Sequence, residues 1–382
     1  MKKVYWRPPG ISRTALTLVS MVAVCLFVAV ERFPVVRKQS SYGLKFAAAR
    51  LAERGQQAIK VEKQRRGLMP PELVDPARTG MLGESVTPVT SNSGFLDAKR
   101  SSTNPNFAAV MIELLEGAEV QTGDTVAVGV SGSFPALNLA TYAAIRVLEL
   151  RPIIIASASS SEWGANHPTY LWLDMERTLR DKDVVPFQVS AASYGGIDDR
   201  GVGLTARGRS FIANSMRRND VTLLEPTSLE DAIDLRMARF DELAGDAEIA
   251  AYINVGGGSA SVGTHVGKKQ FQPGLNLSPP RVPNLADSVM LRFAERDVPV
   301  IHLSRVKLLC ERYGLPYGSR QREAVGQGSV FVRTEYDLRL AGGGLVAVVV
   351  MMLAFLRGSL GSRLVESVQA RKQKDNEPTQ MV

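Results

Sequence analysis

Two long uncharged apolar runs frame the chain, and short apolar runs alternate with amphipathic stretches between them. Residues 14–30 (TALTLVSMVAVCLFVAV) and 340–356 (LAGGGLVAVVVMMLAFL) carry no charged side chain, and each is 17 residues long. That is the short end of what a hydrocarbon core about 30 Å thick asks of a helix, so each run predicts a transmembrane helix. Residues 40–66 predict a further helix, with Leu44, Ala48, Leu51, Ala58 and Val61 near one stripe and Lys45, Arg50, Glu53, Arg54 and Lys60 elsewhere. Gly55 weakens it by about 1 kcal/mol against alanine. Such a helix serves as a juxtamembrane stalk, binds a partner, or packs on its own domain. Residues 67–103, rich in Pro, Gly, Ser and Thr, read as a long irregular surface loop.

From residue 104 the period becomes regular. Asn104 or Asn106 is placed to cap a helix that runs to Glu116, with Pro105 suited to its first turn. Apolar runs at 125–130, 152–156, 184–189, 221–224, 250–255 and 298–303 predict buried strands. Residues 135–150, 169–180, 204–218, 228–243 and 284–295 predict the intervening helices, the fourth opening on Ser228 and Asp231 in a capping-box-like pair. Short apolar strands alternating with helices predict an α/β fold, a mostly parallel sheet covered by helices on both faces in a Rossmann-like three-layer arrangement. The expected organisation is a tail (1–13), a transmembrane helix (14–30), a juxtamembrane helix and irregular linker (31–103), an α/β domain (104–339), a second transmembrane helix (340–356) and a basic tail (357–382).

Charge alters this picture mainly at the ends. Lys2, Lys3, Arg7 and Arg13 precede the first apolar run, and Arg357, Arg363, Arg371, Lys372 and Lys374 follow the second. Both tails are therefore expected to be cytoplasmic, with residues 31–339 outside the cytoplasmic membrane. The same basic N-terminal flank is compatible with a cleaved signal peptide. The run ends Phe27-Val28-Ala29-Val30-Glu31, without a small-x-small cleavage site, which favours a retained anchor. The tails hold nine of the 46 Lys and Arg and three of the 38 Asp and Glu. The formal net charge of +8 thus leaves only +2 on the central region, which argues for topology and anionic lipid rather than nucleic acid. With Cys25 in an apolar run and Cys310 alone outside it, no disulfide within the domain is expected.

In such sheets ligands bind beyond the carboxyl ends of the strands, and three loops fall there. The first holds Gly129, Ser131, Gly132 and Ser133 ahead of the helix that opens at Pro135. The second, residues 157–166, holds Ser160, Ser161, Glu162, Trp163 and Asn166. The third is Gly256, Gly257, Gly258 and Ser259. Glycines permit close backbone approach, and free amides at a helix N-terminus favour an anion, so the three together predict a pocket for an anionic or carboxylate-bearing ligand; each alone is equally a tight strand-to-helix turn. Lys99, Arg100, Lys268 and Lys269 are the candidate counter-charges.

Stricter motifs are absent. Gly267-Lys268-Lys269 lacks the spacing and the Ser/Thr of a phosphate-binding P-loop, Ser261 stands where the dinucleotide fingerprint needs its third glycine, and Ser133 occupies the last glycine of a nucleophile elbow. No cofactor is expected, and no pair of ligands stands at metal-binding spacing. Of the three histidines, His302 falls in an apolar strand and reads as structural. His167 and His265 border the loops, which leaves open a serine nucleophile at Ser131 or Ser133 with a histidine base. Asp174 and Glu176 fall on different faces of a helix and make a poor carboxylate pair.

The runs GVSGSFPALNLA (129–140), SSSEWGANHPTYLWLDME (159–176), INVGGGSASVG (253–263) and IHLSRVKLLCERYGLP (301–316) resemble those of the poly-γ-glutamate system protein family of bacterial membrane proteins. The resemblance covers nearly the whole chain and implies an accessory role in poly-γ-glutamate synthesis or export, beside the ligase and membrane subunits of the synthase in the bacterial cytoplasmic membrane. It supplies no catalytic residues. Three functions stay open: an accessory component that binds the polymer or a carboxylate, a γ-glutamyl hydrolase or transferase acting on it, and a structural subunit that assembles the synthase, for which Gly342–Gly344 would allow close helix approach.

Overall fold

The computed structural model describes residues 13–264 and 266–374 and divides into two units. The first holds the chain before Lys38 and after Val332; the second is Lys38–Val332. In the first unit, two helices are long and apolar enough to cross a membrane, over Ala15–Arg32 and Leu338–Arg357. Their apolar side chains are largely exposed, Leu345 and Val346 among them, as expected of lipid-facing helices rather than of core helices. Where Gly344 meets Leu26, a Cβ would stand 3.3 Å from Leu26 Cδ2, so glycine sets how near the two helices come.

The second unit is a mixed α/β fold built on a seven-stranded sheet. In chain order its strands are β1 (Thr125–Ser131), β2 (Arg151–Ser157), β3 (Ala191–Ser193), β4 (Thr222–Leu224), β5 (Ile249–Val255), β6 (Gly274–Asn276) and β7 (Val300–Leu303). They lie side by side as β6-β7-β5-β1-β2-β3-β4, all parallel except the antiparallel edge strand β6. From β1 the chain winds outward through β2, β3 and β4, then returns to place β5 on the other flank of β1. The order reverses between β1 and β5.

Alternation along the central strands makes the layers. Val126, Val128 and Val130 of β1, with Ala251, Ile253 and Val255 of β5, face one core; Ala127 and Tyr252 face the other. The larger core is closed by helices Tyr42–Arg66, Phe107–Gly117, Pro135–Val147 and Trp172–Asp181, and the smaller by Leu229–Ala244 and Val289–Ala294. Helices thus cover both faces.

Helix Tyr42–Arg66 packs on this unit through Ala48, Ala49, Ala52 and Ile59, all buried. Gly55, weakening in isolation, is required there: a Cβ would lie 2.6 Å from Leu139 Cδ1 on helix Pro135–Val147. Lys45 donates to Glu113 at 2.9 Å and Gln56 to the Thr103 carbonyl at 2.7 Å, fastening the helix. The compact unit therefore begins well before residue 104 and includes the loop-rich segment that follows this helix.

Several elements differ from the sequence expectation. Residues 184–189 are not a strand. Val184, Val185 and Val189 are buried, but Pro186 has no amide to give, Val184 N closes the preceding helix on Leu179 O, and Val189 N donates to the Glu176 carboxylate; the ladder starts at Ala191. The helix expected over 284–295 spans only Val289–Ala294, where Ser288 Oγ accepts from Leu291 N. Of the two cap candidates for helix Phe107–Gly117, Asn106 turns its side chain to Gly326 N and Ala324 O, while Asn104 Oδ1 accepts from Asn106 N at 2.9 Å in the turn that opens the helix. Ser228 does cap its helix, accepting from Asp231 N at 3.1 Å.

Candidate functional site

The point where the strand order reverses is where a doubly wound sheet leaves a crevice, because the loops after β1 and β5 depart toward opposite faces. There Ser131 Oγ, at the end of β1, donates to Val255 O, at the end of β5, at 3.4 Å. A cleft of about 510 Å³ opens at this edge. The first loop contributes Ser131 and Ser133, the second Ser157, Ser159 and Ser161, and the third Gly257, Gly258 and Ser259. The three loops expected to converge do so.

Glycines set the close spacing of these loops. A Cβ on Gly132 would stand 2.8 Å from Ser159 O, so loops one and two touch backbone to backbone. Gly256 has φ +96 and a Cβ there would meet Ser131 Oγ at 2.8 Å, a conformation and a gap that only glycine accepts. Hydroxyls stitch the loops together. Ser161 N donates to Ser133 Oγ at 3.0 Å, Ser160 Oγ to Gly132 O at 3.0 Å, and Ser259 Oγ to Gly196 O at 2.9 Å.

Two further segments wall the cleft. Residues 91–95, leading into helix Leu96–Ser102, bring Ser91, Ser93 and Phe95, and the helix brings Lys99. The loop after β3 brings Gly196 and Ile197. Beneath it lies a fully buried ion pair. Arg236 donates to Asp199 Oδ2 from Nε at 2.8 Å and from Nη2 at 2.6 Å, while Nη2 also reaches Ser157 Oγ and Ser193 Oγ at 3.0 Å. Ser157 Oγ donates to Asp199 Oδ1 at 2.7 Å. This network ties the ends of β2 and β3 to helix Leu229–Ala244 and fixes one wall of the cleft.

The lining is cationic. Among the described residues its only charged side chains are Lys99 and Lys268, set among eight serines. The Lys99 side chain is 2 % exposed, its Nζ donates to Ser161 Oγ at 2.7 Å and to Ser133 O, and it stands 4.0 Å from the centre of the Phe134 ring. Burial, and then the charge of Lys268, pushes the Lys99 amine down to about 7; Glu162 acts the other way. Lys268 crosses over Gly257, where a Cβ would lie 3.2 Å from its Nζ. Its own amine is lowered by burial and by Arg305.

The remaining expected residues fall outside the lining. Ser160 is buried beneath the second loop, and Glu162 turns its carboxylate to Gly94 N at 2.9 Å, so no acid lines the cleft. Asn166 is structural, holding Glu84 N and O through its side-chain amide. Gly132 and Gly256 shape the walls without facing the cleft. His167 is away from the lining with Nδ1 beside Thr169, so it serves neither Ser131 nor Ser133 as a base; His265 lies outside the described residues. His302 is buried, with Nδ1 2.9 Å from Asn254 Nδ2, and burial pushes it down to about 3. Of the four counter-charge candidates, Arg100 donates instead to Leu73 O and Val74 O, and Lys269 does not line the cleft.

Residues 91–95 carried no signal of period or motif. The loop after β3 did carry one, Gly195-Gly196, which a strand placed at 191–193 would have put at a strand end. Among the described residues no group of three or more His, Cys, Asp or Glu is placed to hold a metal ion. No family model, no curated protein and no solved structure matches the chain.

Proposed function

We propose that the protein is a membrane-anchored accessory component of poly-γ-glutamate synthesis or export, whose cleft binds the polymer or a related carboxylate chain. The observation that carries this reading is the lining itself: two lysines, eight serines and no acid at the reversal point of the sheet. A γ-linked glutamate chain offers one carboxylate per residue, which ammonium groups neutralise and serine hydroxyls and loop amides hydrogen-bond. The resemblance of the four sequence runs supports the choice of polymer. The two apolar helices support a two-pass anchor, and the basic flanks support cytoplasmic termini with the α/β unit outside. The absence of P-loop spacing agrees with ATP-dependent ligation residing in a partner subunit.

The test is calorimetric titration of the full-length protein in detergent micelles with γ-linked glutamate oligomers at two salt concentrations. Saturable binding that weakens with salt is expected. Lys268→Ala should weaken it roughly tenfold to a hundredfold, the range for loss of one charged hydrogen bond. Equal affinity for an uncharged γ-glutamine oligomer, or an unchanged affinity in Lys268→Ala, would sink the proposal.

A further inference from the structure

Three lysines of the α/β unit are sunk to 2 % exposure or less, and they differ in what they meet. Lys45 pairs with Glu113 at 2.9 Å. Lys63 donates to Leu82 O at 2.8 Å; burial lowers its amine to about 8, against the opposing charges of Asp75 and Glu84. Lys99 has no carboxylate within salt-bridge distance among the described residues, and it alone of the three lines the cleft. Its nitrogen has three neighbours: Ser133 O, the Phe134 ring and Ser161 Oγ. A neutral amine has two N–H bonds and one lone pair. The ammonium form donates to Ser161 Oγ; once neutral, with its two N–H bonds on Ser133 O and the ring face, the amine turns its lone pair to that hydroxyl, which then becomes the donor.

We propose that Ser161 and Lys99 form a nucleophile–base pair that transfers acyl groups from amide or ester substrates held in the cleft. The hydroxyl and the amine stand 2.7 Å apart, within the reach proton transfer requires, and both line the cleft. A buried lysine with no carboxylate in contact is how proteins keep an amine neutral near pH 7, and the Lys99 amine, lowered by burial and by Lys268 against the pull of Glu162, agrees with that. In the first half-reaction Ser161 Oγ bonds the substrate carbonyl carbon while its proton passes to Lys99 Nζ. The bond from that carbon to the leaving nitrogen or oxygen then breaks, and the leaving group takes the proton from the Lys99 ammonium. In the second half-reaction water gives a proton to Lys99 and its oxygen bonds the acyl carbon. Ser161 departs and recovers that proton, so the net change is water added across the original bond. Lys268, the other cation of the lining, favours acyl donors that carry a carboxylate.

The pair does not depend on which polymer the cleft accepts, and a fluorophosphonate probe tests it without a substrate. Full-length protein in detergent micelles would be treated with the probe, digested and mapped by mass spectrometry. A phosphonyl adduct on Ser161 is expected, absent in Ser161→Ala and at least about a hundredfold slower to form in Lys99→Met. An unlabelled wild-type protein, or an adduct confined to any other residue, overturns the proposal. So does labelling of folded Lys99→Met within about threefold of wild type. Thermal melting reports whether that variant folds, and if it does not, the position of the wild-type adduct decides alone.

Discussion

Replacing Lys99 with methionine should flatten the rise of stability with pH on the alkaline side of neutrality. In the folded chain the Lys99 amine titrates at about 7, against 10.5 when unperturbed. Below about pH 7 both states carry the charge and the cost of burying it is fully present. Between there and 10.5 the unfolded chain binds a proton that the folded chain does not, so stability rises with pH; above 10.5 the cost is gone. The slope from one such group is about 1.4 kcal/mol per pH unit, or about 2 kcal/mol from about pH 8 to pH 9.5, just below tyrosine ionisation. Lys63, lowered to about 8 by burial, adds a similar rise over most of that window. The variant should therefore lose about 1.4 kcal/mol per pH unit of slope, and Lys63→Met a similar amount. Lys268, also lowered, adds to the slope that remains, and Cys310, raised to about 12 by burial, subtracts from it above about pH 9. From about pH 8 to pH 9.5 the folded amine is already neutral, so loss of its bonds to Ser133 O and Ser161 Oγ shifts the curve in that window without tilting it. Urea midpoints followed by tryptophan fluorescence at a series of pH values give the two slopes. Parallel curves for wild type and Lys99→Met would refute the desolvated amine, and with it the base assigned to Ser161.

Arg236→Met should cost about 3–5 kcal/mol, because it strands the buried Asp199 carboxylate; a thermal melt within 2 °C of wild type would contradict the network beneath the cleft. Gly164→Ala should destabilise by about 1–3 kcal/mol, since a Cβ would lie 2.2 Å from Ser160 Oγ and 2.6 Å from Gly132 O, and oligomer binding should fall with it. Binding of γ-glutamate oligomers near pH 7 should take up protons, as a bound carboxylate raises the Lys99 amine. Calorimetry in buffers of different ionisation enthalpy measures the uptake, which Lys99→Met should abolish.

The sheet was legible because its central strands, Thr125–Ser131 and Ile249–Val255, are continuous apolar runs that only a strand buried on both faces needs. The loops were legible for the same reason, since strand ends fix where they begin. Legibility failed where tertiary contacts override local pattern. The 184–189 run is apolar because it is buried, yet its amides serve a helix end and Glu176. Gly55 looked like a helix defect, and its purpose appears only with Leu139 facing it. Sequence position makes Lys99 and Lys268 candidate counter-charges, but nothing in the sequence says that Lys99 is buried beside a serine while Arg100, one residue on, turns away to Leu73 and Val74. Likewise, His167 is near the second loop in sequence, yet the short antiparallel pairing of His167 with Tyr170 carries it off the cleft.

The binding and acyl-transfer readings of the cleft are coupled through one proton. An anion beside Lys99 stabilises its ammonium form, and the ammonium has no lone pair to receive the Ser161 proton. A carboxylate seated against Lys99 would therefore hold the polymer and silence the serine together. A chain placed with its carboxylates against Lys268, and only a neutral carbonyl toward Lys99, would leave the amine free to act. The two lysines differ in the way this requires. Lys99 is held within the lining by Ser133 and Ser161 and lowered to about 7, whereas the Lys268 ammonium stands over Gly257 with no hydrogen-bond partner among the described residues. The division of labour follows from burial: the less constrained cation anchors charge, and the desolvated one handles a proton.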